Sequence, residues 1–306
     1  MTNPAPLLAP APLVMRTTGW DDYGLIDSGA GRKLERYGPY QVIRPEPQCL
    51  WAPRLASAVW EVADATFDPS DEDEAGRWRF KAQPKDAWPL SWNGIRFQGR
   101  FTAFRHLAFF PEQAANWDWL RQRVTAEARP LRLLNLFGYT GVASLVAAKA
   151  GASVTHVDAS KKAIAWAREN AELSGLADRP IRWICEDARR YVQREVRRGQ
   201  TYDAIILDPP KYGRGPNGET WRLFEDLPAL LADCVQLLSP DAAFLLLNGY
   251  AERISGLSLG ALLADAMAGR GGAVDWGELA LMEQDSQRGV GLSFFARWSG
   301  GAEAGR

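Results

Sequence analysis

The sequence predicts an α/β protein: a doubly wound sheet of seven strands with an antiparallel last strand, preceded by a smaller, mainly β domain. Three observations predict it. From residue 131 onward, strand-like and helix-like stretches alternate. The last two strand-like stretches have no helix between them, as an antiparallel pair at one edge requires. Eight of the thirteen tryptophans (Trp20, Trp51, Trp60, Trp78, Trp88, Trp92, Trp117 and Trp119) fall before residue 125, where the pattern is of short alternating runs.

Taken in order, "MTNPAPLLAPAPLVMR" is rich in Pro and Ala, with no charged stretch ahead of an apolar core. It reads as part of a flexible tail over residues 1–18 rather than as a signal peptide. The mainly β domain covers 19–115. Within it "GIRFQGRFTAFRHLAFF" (94–110) alternates as hairpin strands do, and "DPSDEDEAG" (68–76) reads as a solvated loop. The larger domain covers 116–300, and 301–306 form a second flexible tail.

In the larger domain "LRLLNLF" (131–137) is the first strand, followed by the helix "TGVASLVAAKAG". "SVTHVD" (153–158) is the second, and Ser160 caps the helix "SKKAIAWARENAELSG" that follows. "IRWICED" (181–187) and the helix "ARRYVQREVRRG" come next. "YDAIILD" (202–208) is the fourth strand, then a loop and the helix "LFEDLPALLADCVQLL". "AAFLLLNG" (242–249), the helix "SLGALLADAMAG", and the strands "VDWGELALM" and "GVGLSFFARW" complete the set.

Lys plus Arg number 36 against 37 Asp plus Glu, so overall charge gives no support for tight nonspecific nucleic-acid binding. Cys49, Cys185 and Cys234 are odd in number and far apart, which fits neither a zinc site nor a disulfide framework. No apolar run is long enough to span a bilayer, and the expected location is the cytoplasm, with no membrane partner and no metal. No oligomeric state follows from the residues.

In an open parallel sheet, ligands gather beyond the carboxyl ends of the strands. The first end carries "LNLFGYTG", where Gly138 and Gly141 flank Tyr139 and Thr140. Glycines there permit close backbone approach and leave helix-start N–H groups open, although a tight strand–helix turn needs them too. Asp158 closes the second strand, where an acid typically accepts ribose hydroxyls; alternatively it caps the next helix beside Ser160. Asp187 follows the third strand and can reach an adenine edge or cap the helix after it. Together, in this order, they point to an adenosine-type ligand. The fourth end, "DPPKY", has no place in hydride transfer. Its two prolines aim carbonyls rigidly, Asp208 adds an acceptor, and Tyr212 adds an aromatic face for a planar group.

With these motifs, "LNLFGYTGVAS", "VDASKKAIAWAREN", "CEDARRYV" and "ILDPPKYG", the chain resembles the class I S-adenosylmethionine-dependent methyltransferases, more closely the branch of bacterial 23S ribosomal RNA cytosine-C5 methyltransferases. "FFPEQAANW" (109–117) resembles the segment that precedes the catalytic domain there. The resemblance implies a Rossmann-like fold and S-adenosyl-L-methionine as cofactor. It implies that Asn135, Phe137, Gly138, Tyr139, Thr140 and Gly141 cradle the methionine part, that Asp158 and Ala159 meet the ribose, and that Asp187 and Ala188 meet the adenine. Asp208, Pro209, Pro210 and Tyr212 would line the methyl-transfer point, Asp208 touching the cofactor as well, and Phe110 and Gln113 would close over the cofactor.

The chain departs from the branch in one respect. Carbon-5 methylation uses a cysteine thiolate after the fourth or fifth strand. Here those places read "DPPKYG" and "LLLNGYAE" (245–252), without cysteine. Cys185 and Cys234 read as core residues, and Cys49 is remote in sequence. The expectation is therefore direct in-line transfer to a heteroatom, with no thiol and no metal. An RNA base, foremost in ribosomal RNA, is the expected acceptor. The alternatives are a protein side chain or small molecule, or a cofactor-binding module that recognises RNA without turnover. Arg189, Arg190, Arg194, Arg197 and Arg198 on one helix fit either RNA contact or a solvated, charge-balanced surface. His156 reads as packed in the sheet, while His106 borders the expected cofactor side.

Overall fold

A computed structural model of the chain describes residues 6–70, 76–250 and 254–300. The start of the expected amino-terminal tail, the acidic centre of 68–76, the end of "LLLNGYAE" and all of the expected tail over 301–306 lie outside the described residues. The described chain forms two compact units: Asn116–Leu279 with Met1–Met15 and Ser293–Arg306, and Arg16–Ala115 with Ala280–Leu292.

Where a loose tail is expected, the structure forms strands β1 (Leu7–Leu8) and β2 (Leu13–Thr17). Leu7 donates its N–H to Gly272 at 3.0 Å and Ala9 to Val274 at 2.9 Å. Prolines flank the pairing residues instead of interrupting them, as an edge strand tolerates.

The smaller unit contains β3 (Tyr23–Gly29), β4 (Arg32–Tyr37), β5 (Tyr40–Pro45), the short helix α1 (Ser57–Glu61), β6 (Ala65–Pro69) and β7 (Gly76–Phe80). These five strands make one sheet in chain order. β8 (Trp88–Trp92) and β9 (Ile95–Gly99) form a separate hairpin around Asn93 and Gly94, both at positive φ (46° and 75°). The expected hairpin at 94–110 thus lies earlier, on the Asn-Gly turn, because that dipeptide supplies the two left-handed residues a tight turn needs. A 3₁₀ turn at Pro111–Gln113 leads into α2 (Ala114–Ala126).

In the larger unit α2 is followed by β10 (Arg132–Leu136), α3 (Val142–Lys149), β11 (Ser153–Asp158), α4 (Lys161–Leu173), β12 (Ile181–Cys185), α5 (Ala188–Arg197) and β13 (Ala204–Leu207). Then come β14 (Tyr212–Arg214), β15 (Thr220–Arg222), α6 (Leu223–Leu237), β16 (Phe244–Gly249), α7 (Gly256–Ala266), β17 (Ala273–Met282) and β18 (Gly289–Ser299). The sheet order is β1-β17-β18-β16-β13-β10-β11-β12, with β2 also on β17. The seven expected strands are present, and β1 and β2 extend them to nine.

β12, β11, β10, β13 and β16 run parallel, and β18 returns antiparallel to β16. β18 lies inside the sheet, not at its edge, because β17 and β1 continue beyond it. The switch point falls between β10 and β13, where the strand order reverses. The loop expected after Asp208 holds a β14–β15 hairpin with Tyr212 opposite Arg222. Leucines and isoleucines of β10, β13 and β16 pack on α5, α6 and α7 through Tyr191, Leu227, Leu230, Leu231 and Leu263. Among the described residues, no helix is long and apolar enough to cross a membrane.

Candidate active site

The turn after β10 is held in an unusual conformation. Phe137, Tyr139 and Gly141 all have positive φ (58°, 48° and 85°), which costs a non-glycine residue roughly 1–3 kcal/mol and persists only where neighbours enforce it. The neighbours are explicit. Tyr139 donates its N–H to Asp158 Oδ2 at 2.8 Å, Gly138 donates to the Val157 carbonyl at 3.1 Å, and Asn170 Nδ2 donates to the Thr140 carbonyl at 2.9 Å. A side chain on Gly138 would collide with the His156 ring, and one on Gly141 would lie 2.9 Å from Ala167 Cβ. Gly141 caps α3 without any side-chain hydrogen bond, so the first-turn amides of that helix have no internal acceptor.

Beneath the turn, Asn135 Nδ2 donates to Ser144 Oγ at 2.9 Å, and Ser144 Oγ meets His156 Nδ1 at 2.9 Å. Burial pulls His156 down to about 3, so it is neutral at physiological pH. It packs in the sheet, as expected, and also props the turn from below.

Asp158 accepts from Tyr139 and, through Oδ1, from Ser160 at 2.8 Å; burial raises its carboxyl against these two donors. Each oxygen keeps a further lone pair. Ser160 caps α4 as expected, its hydroxyl accepting from Ala163. Ala159, half-buried, accepts a Cys185 Sγ contact at 3.6 Å. Asp187 caps α5: Oδ1 accepts from Arg189 and Arg190 amides at 3.0 and 3.1 Å, and the Arg189 guanidinium lies 3.4 Å from Oδ2. Ala188 is buried at the start of that helix.

On the other side of the switch point, Asp208 follows β13, with its N–H directed to the Leu136 carbonyl at 3.4 Å. Pro209 is buried, Pro210 is exposed and Tyr212 is half-exposed on β14. Trp221 Nε1 donates to the Pro210 carbonyl at 2.7 Å, and its ring lies 5.0 Å from that of Phe137. One buried indole therefore ties the "DPPKY" segment to the glycine turn. Sequence reasoning missed Trp221, because a three-residue strand after "GRGPNGE" reads as loop.

Phe110 and Gln113 belong to the smaller unit. Phe110 packs against His106 at 4.5 Å, and Gln113 is buried with its N–H on the Phe110 carbonyl at 3.0 Å. No cysteine stands at the ends of β13 or β16. Cys49 and Cys234 are fully buried, and burial pushes both thiols up, Cys49 to about 11; Cys185 is exposed, correcting its reading as a core residue. Four of the five arginines named on this helix stand in ion pairs: Arg189 faces Asp226 at 2.7 Å, Arg190 faces Glu219 at 2.7 Å, Arg194 faces Glu186 at 2.5 Å and Arg198 faces Glu195 at 3.1 Å.

A family model described as S-adenosylmethionine-dependent methyltransferase matches residues 33–250. The crystal structure of a SAM-dependent methyltransferase from Agrobacterium tumefaciens is 52% identical, with a TM-score of 0.93, over 98% of this chain and 96% of that one. A candidate SAM-dependent methyltransferase from Streptococcus mutans shares the fold, with a TM-score of 0.67 at 17% identity over 91% of this chain and 75% of that one. A ribosomal RNA large subunit methyltransferase K/L from Magnetococcus marinus is 33% identical over 48% of this chain and 20% of its own length. The chain thus spans about a fifth of the length of the curated relatives it matches.

Proposed function

This chain belongs to the S-adenosylmethionine-dependent methyltransferase family, and from that premise we propose that it methylates a nitrogen of an RNA base, foremost in ribosomal RNA. The observation that carries the choice of atom is the absence of a thiol where acceptors stand: Asp208 and the Pro209 carbonyl occupy the end of β13, and Asn248 the end of β16. The choice of RNA draws on the partial relatives, which are ribosomal RNA large subunit methyltransferases. A cytoplasmic location goes with such a substrate.

The residues present fit the cofactor. The uncapped start of α3 offers amides and a positive dipole end to the methionine carboxylate. Asn135, through Ser144, and His156 keep Phe137–Gly141 in the conformation that leaves this end open. The remaining lone pairs of Asp158 suit ribose hydroxyls beside Ala159, and Asp187 and Ala188 border the adenine.

When bound, the cofactor supplies an electrophilic methyl on a sulfonium. Asp208 and Pro209 hold the acceptor amino group so that its lone pair lies in line with that methyl, and Tyr212 stacks on the base while Pro210 stiffens the segment. Asp208 would take the proton that the nitrogen loses on methylation and pass it to water. A base within folded RNA has to be turned out of its stack to reach this point.

Mass spectrometry of ribosomal RNA nucleosides from cells with and without the protein tests the reading, with one methylated nucleoside expected to disappear. In vitro, Asp208→Ala is expected to lower transfer by at least ~100-fold, well beyond any weakening of cofactor binding. Replacing all three cysteines with alanine is expected to leave transfer on the same RNA intact. Label appearing in protein alone would move the assignment to a protein methyltransferase.

A further inference from the structure

The β14–β15 hairpin has two unlike faces. Tyr212 stands opposite Arg222, Gly213 opposite Trp221 and Arg214 opposite Thr220. Residues directly across an antiparallel pair share a face, so Tyr212, Arg214, Thr220 and Arg222 lie on one side and Gly213 and Trp221 on the other. The Trp221 side is the anchor: the buried indole holds the Pro210 carbonyl, and Leu223 donates its N–H to the Lys211 carbonyl at 3.0 Å. All four residues of the other side are exposed.

α5 and α6 fasten this hairpin. Arg189 donates through Nη2 to the Thr220 carbonyl at 2.8 Å and through Nη1 to Asp226 at 2.7 Å, and Asp226 accepts the Arg222 N–H at 2.7 Å. Arg190 meets Glu219 at 2.7 Å and holds its carboxyl down to about 2. Arg189 and Arg190 thus support the hairpin, and its own acid is offset. Two guanidiniums remain on the exposed side. Arg214 stands in no ion pair among the described residues. Arg222 pairs with Glu225 at 3.1 Å, but the two side chains are 60% and 66% exposed. A pair so open to water contributes little, so a phosphate can take the place of Glu225.

Arg214 and Arg222 lie diagonally across the ladder, about 7–8 Å apart, with Tyr212 at the corner between them. A single nucleotide strand carries one phosphate per ~3.4 Å of stacked rise, so about two steps span that distance. The face begins two residues after Pro210, beside the methyl-transfer point. We propose that the exposed side of the β14–β15 hairpin is a phosphate clamp, in which Arg214 and Arg222 bind the backbone phosphates on either side of the nucleotide whose base stacks on Tyr212. This rests on the reading of the chain as an RNA-base methyltransferase and adds to it the surface that grips the strand. Guanidiniums suit the task because their fork of donors matches phosphate oxygens. Phosphates fixed on both sides hold the backbone open while the base between them is out of its stack.

The test uses the full chain, tritiated-methyl cofactor, and ribosomal RNA and protein from cells lacking this protein. Arg214→Gln and Arg222→Gln are each expected to lose roughly fivefold in kcat/KM for RNA at about 50 mM salt, mainly through KM, and the double variant roughly 20-fold. The slope of log K for RNA against log salt is expected to flatten by about 0.7 for each arginine removed, with cofactor affinity and Tm at the wild-type values. Arg214→Lys keeps the charge and is expected to keep the slope. Arg197→Gln removes an exposed arginine of α5 away from the hairpin and is expected to change neither rate nor slope. Wild-type kcat/KM and an unchanged slope in the double variant overturn the clamp and leave the RNA methyltransferase reading standing. An equal loss in Arg197→Gln marks a diffuse basic surface and also overturns it, as does a fall in Tm or cofactor affinity in step with transfer. A wild-type chain that labels protein and no RNA overturns the functional reading, and the clamp with it.

Discussion

Gly138 and His156 show how a single contact sets the conditions for a site. Because an added Cβ would overlap the imidazole, Gly138→Ala is expected to displace the turn, cost about 2–3 kcal/mol in urea unfolding, and weaken cofactor binding by at least tenfold. His156 itself titrates at about 3 in the folded chain, against 6.5 as its ordinary value. Below pH 6.5 the unfolded chain takes a proton that the folded one refuses. The contribution is therefore whole above that pH and drains toward pH 3, at about 1.4 kcal/mol per unit. Urea unfolding at pH 7 and pH 5 is expected to show a steeper loss in wild type than in His156→Asn. Equal slopes would mean that the imidazole is charged in the folded state.

Elements differ in how much of them can be read from residues alone. The alternation of β10 to α5 is legible because each strand is a short apolar run and two of the three helices open on a side-chain cap, Ser160 and Asp187. The site residues at those strand ends follow from the same pattern. The β14–β15 hairpin is not legible, since three-residue strands carry no period and their pairing depends on Trp221 finding the Pro210 carbonyl. Nor are β1 and β2, whose partner lies far along the chain. In the smaller unit, β4 and β5 carry a buried pair that composition hides: Arg44 Nε meets Glu35 Oε2 at 2.7 Å, and Tyr23 donates to Glu35 at 2.8 Å. Burial works to raise the Glu35 carboxyl, and the Arg44 and Lys33 charges overcome it and hold the group at about 2. Arg44→Met strands that charge and is expected to cost about 3–5 kcal/mol by urea unfolding, most of it recovered in the double variant with Glu35→Leu.

At the scale of the whole molecule, the net charge is −1, and Arg189, Arg190, Arg194 and Arg198 at α5 face carboxylates instead of standing as a bare basic stripe. RNA affinity is therefore expected to depend weakly on salt, with log K falling no more steeply than about −3 against log salt between about 50 and 200 mM. A slope near −8 would point to a basic surface elsewhere. The pairing of Leu7 with Ala273 has a bearing on synthesis as well. In the smaller unit, Ser28 donates to Glu283 at 2.6 Å and Gln284 donates to the Leu25 carbonyl at 2.7 Å. The nine-stranded sheet thus waits for β17, and the smaller unit for the contacts of residues 280–292. A chain emerging from the ribosome in order exposes these early strands for most of its translation, so its final folding is a late, nearly concerted event, and a nascent chain stalled before residue 270 is a substrate for chaperones and proteases.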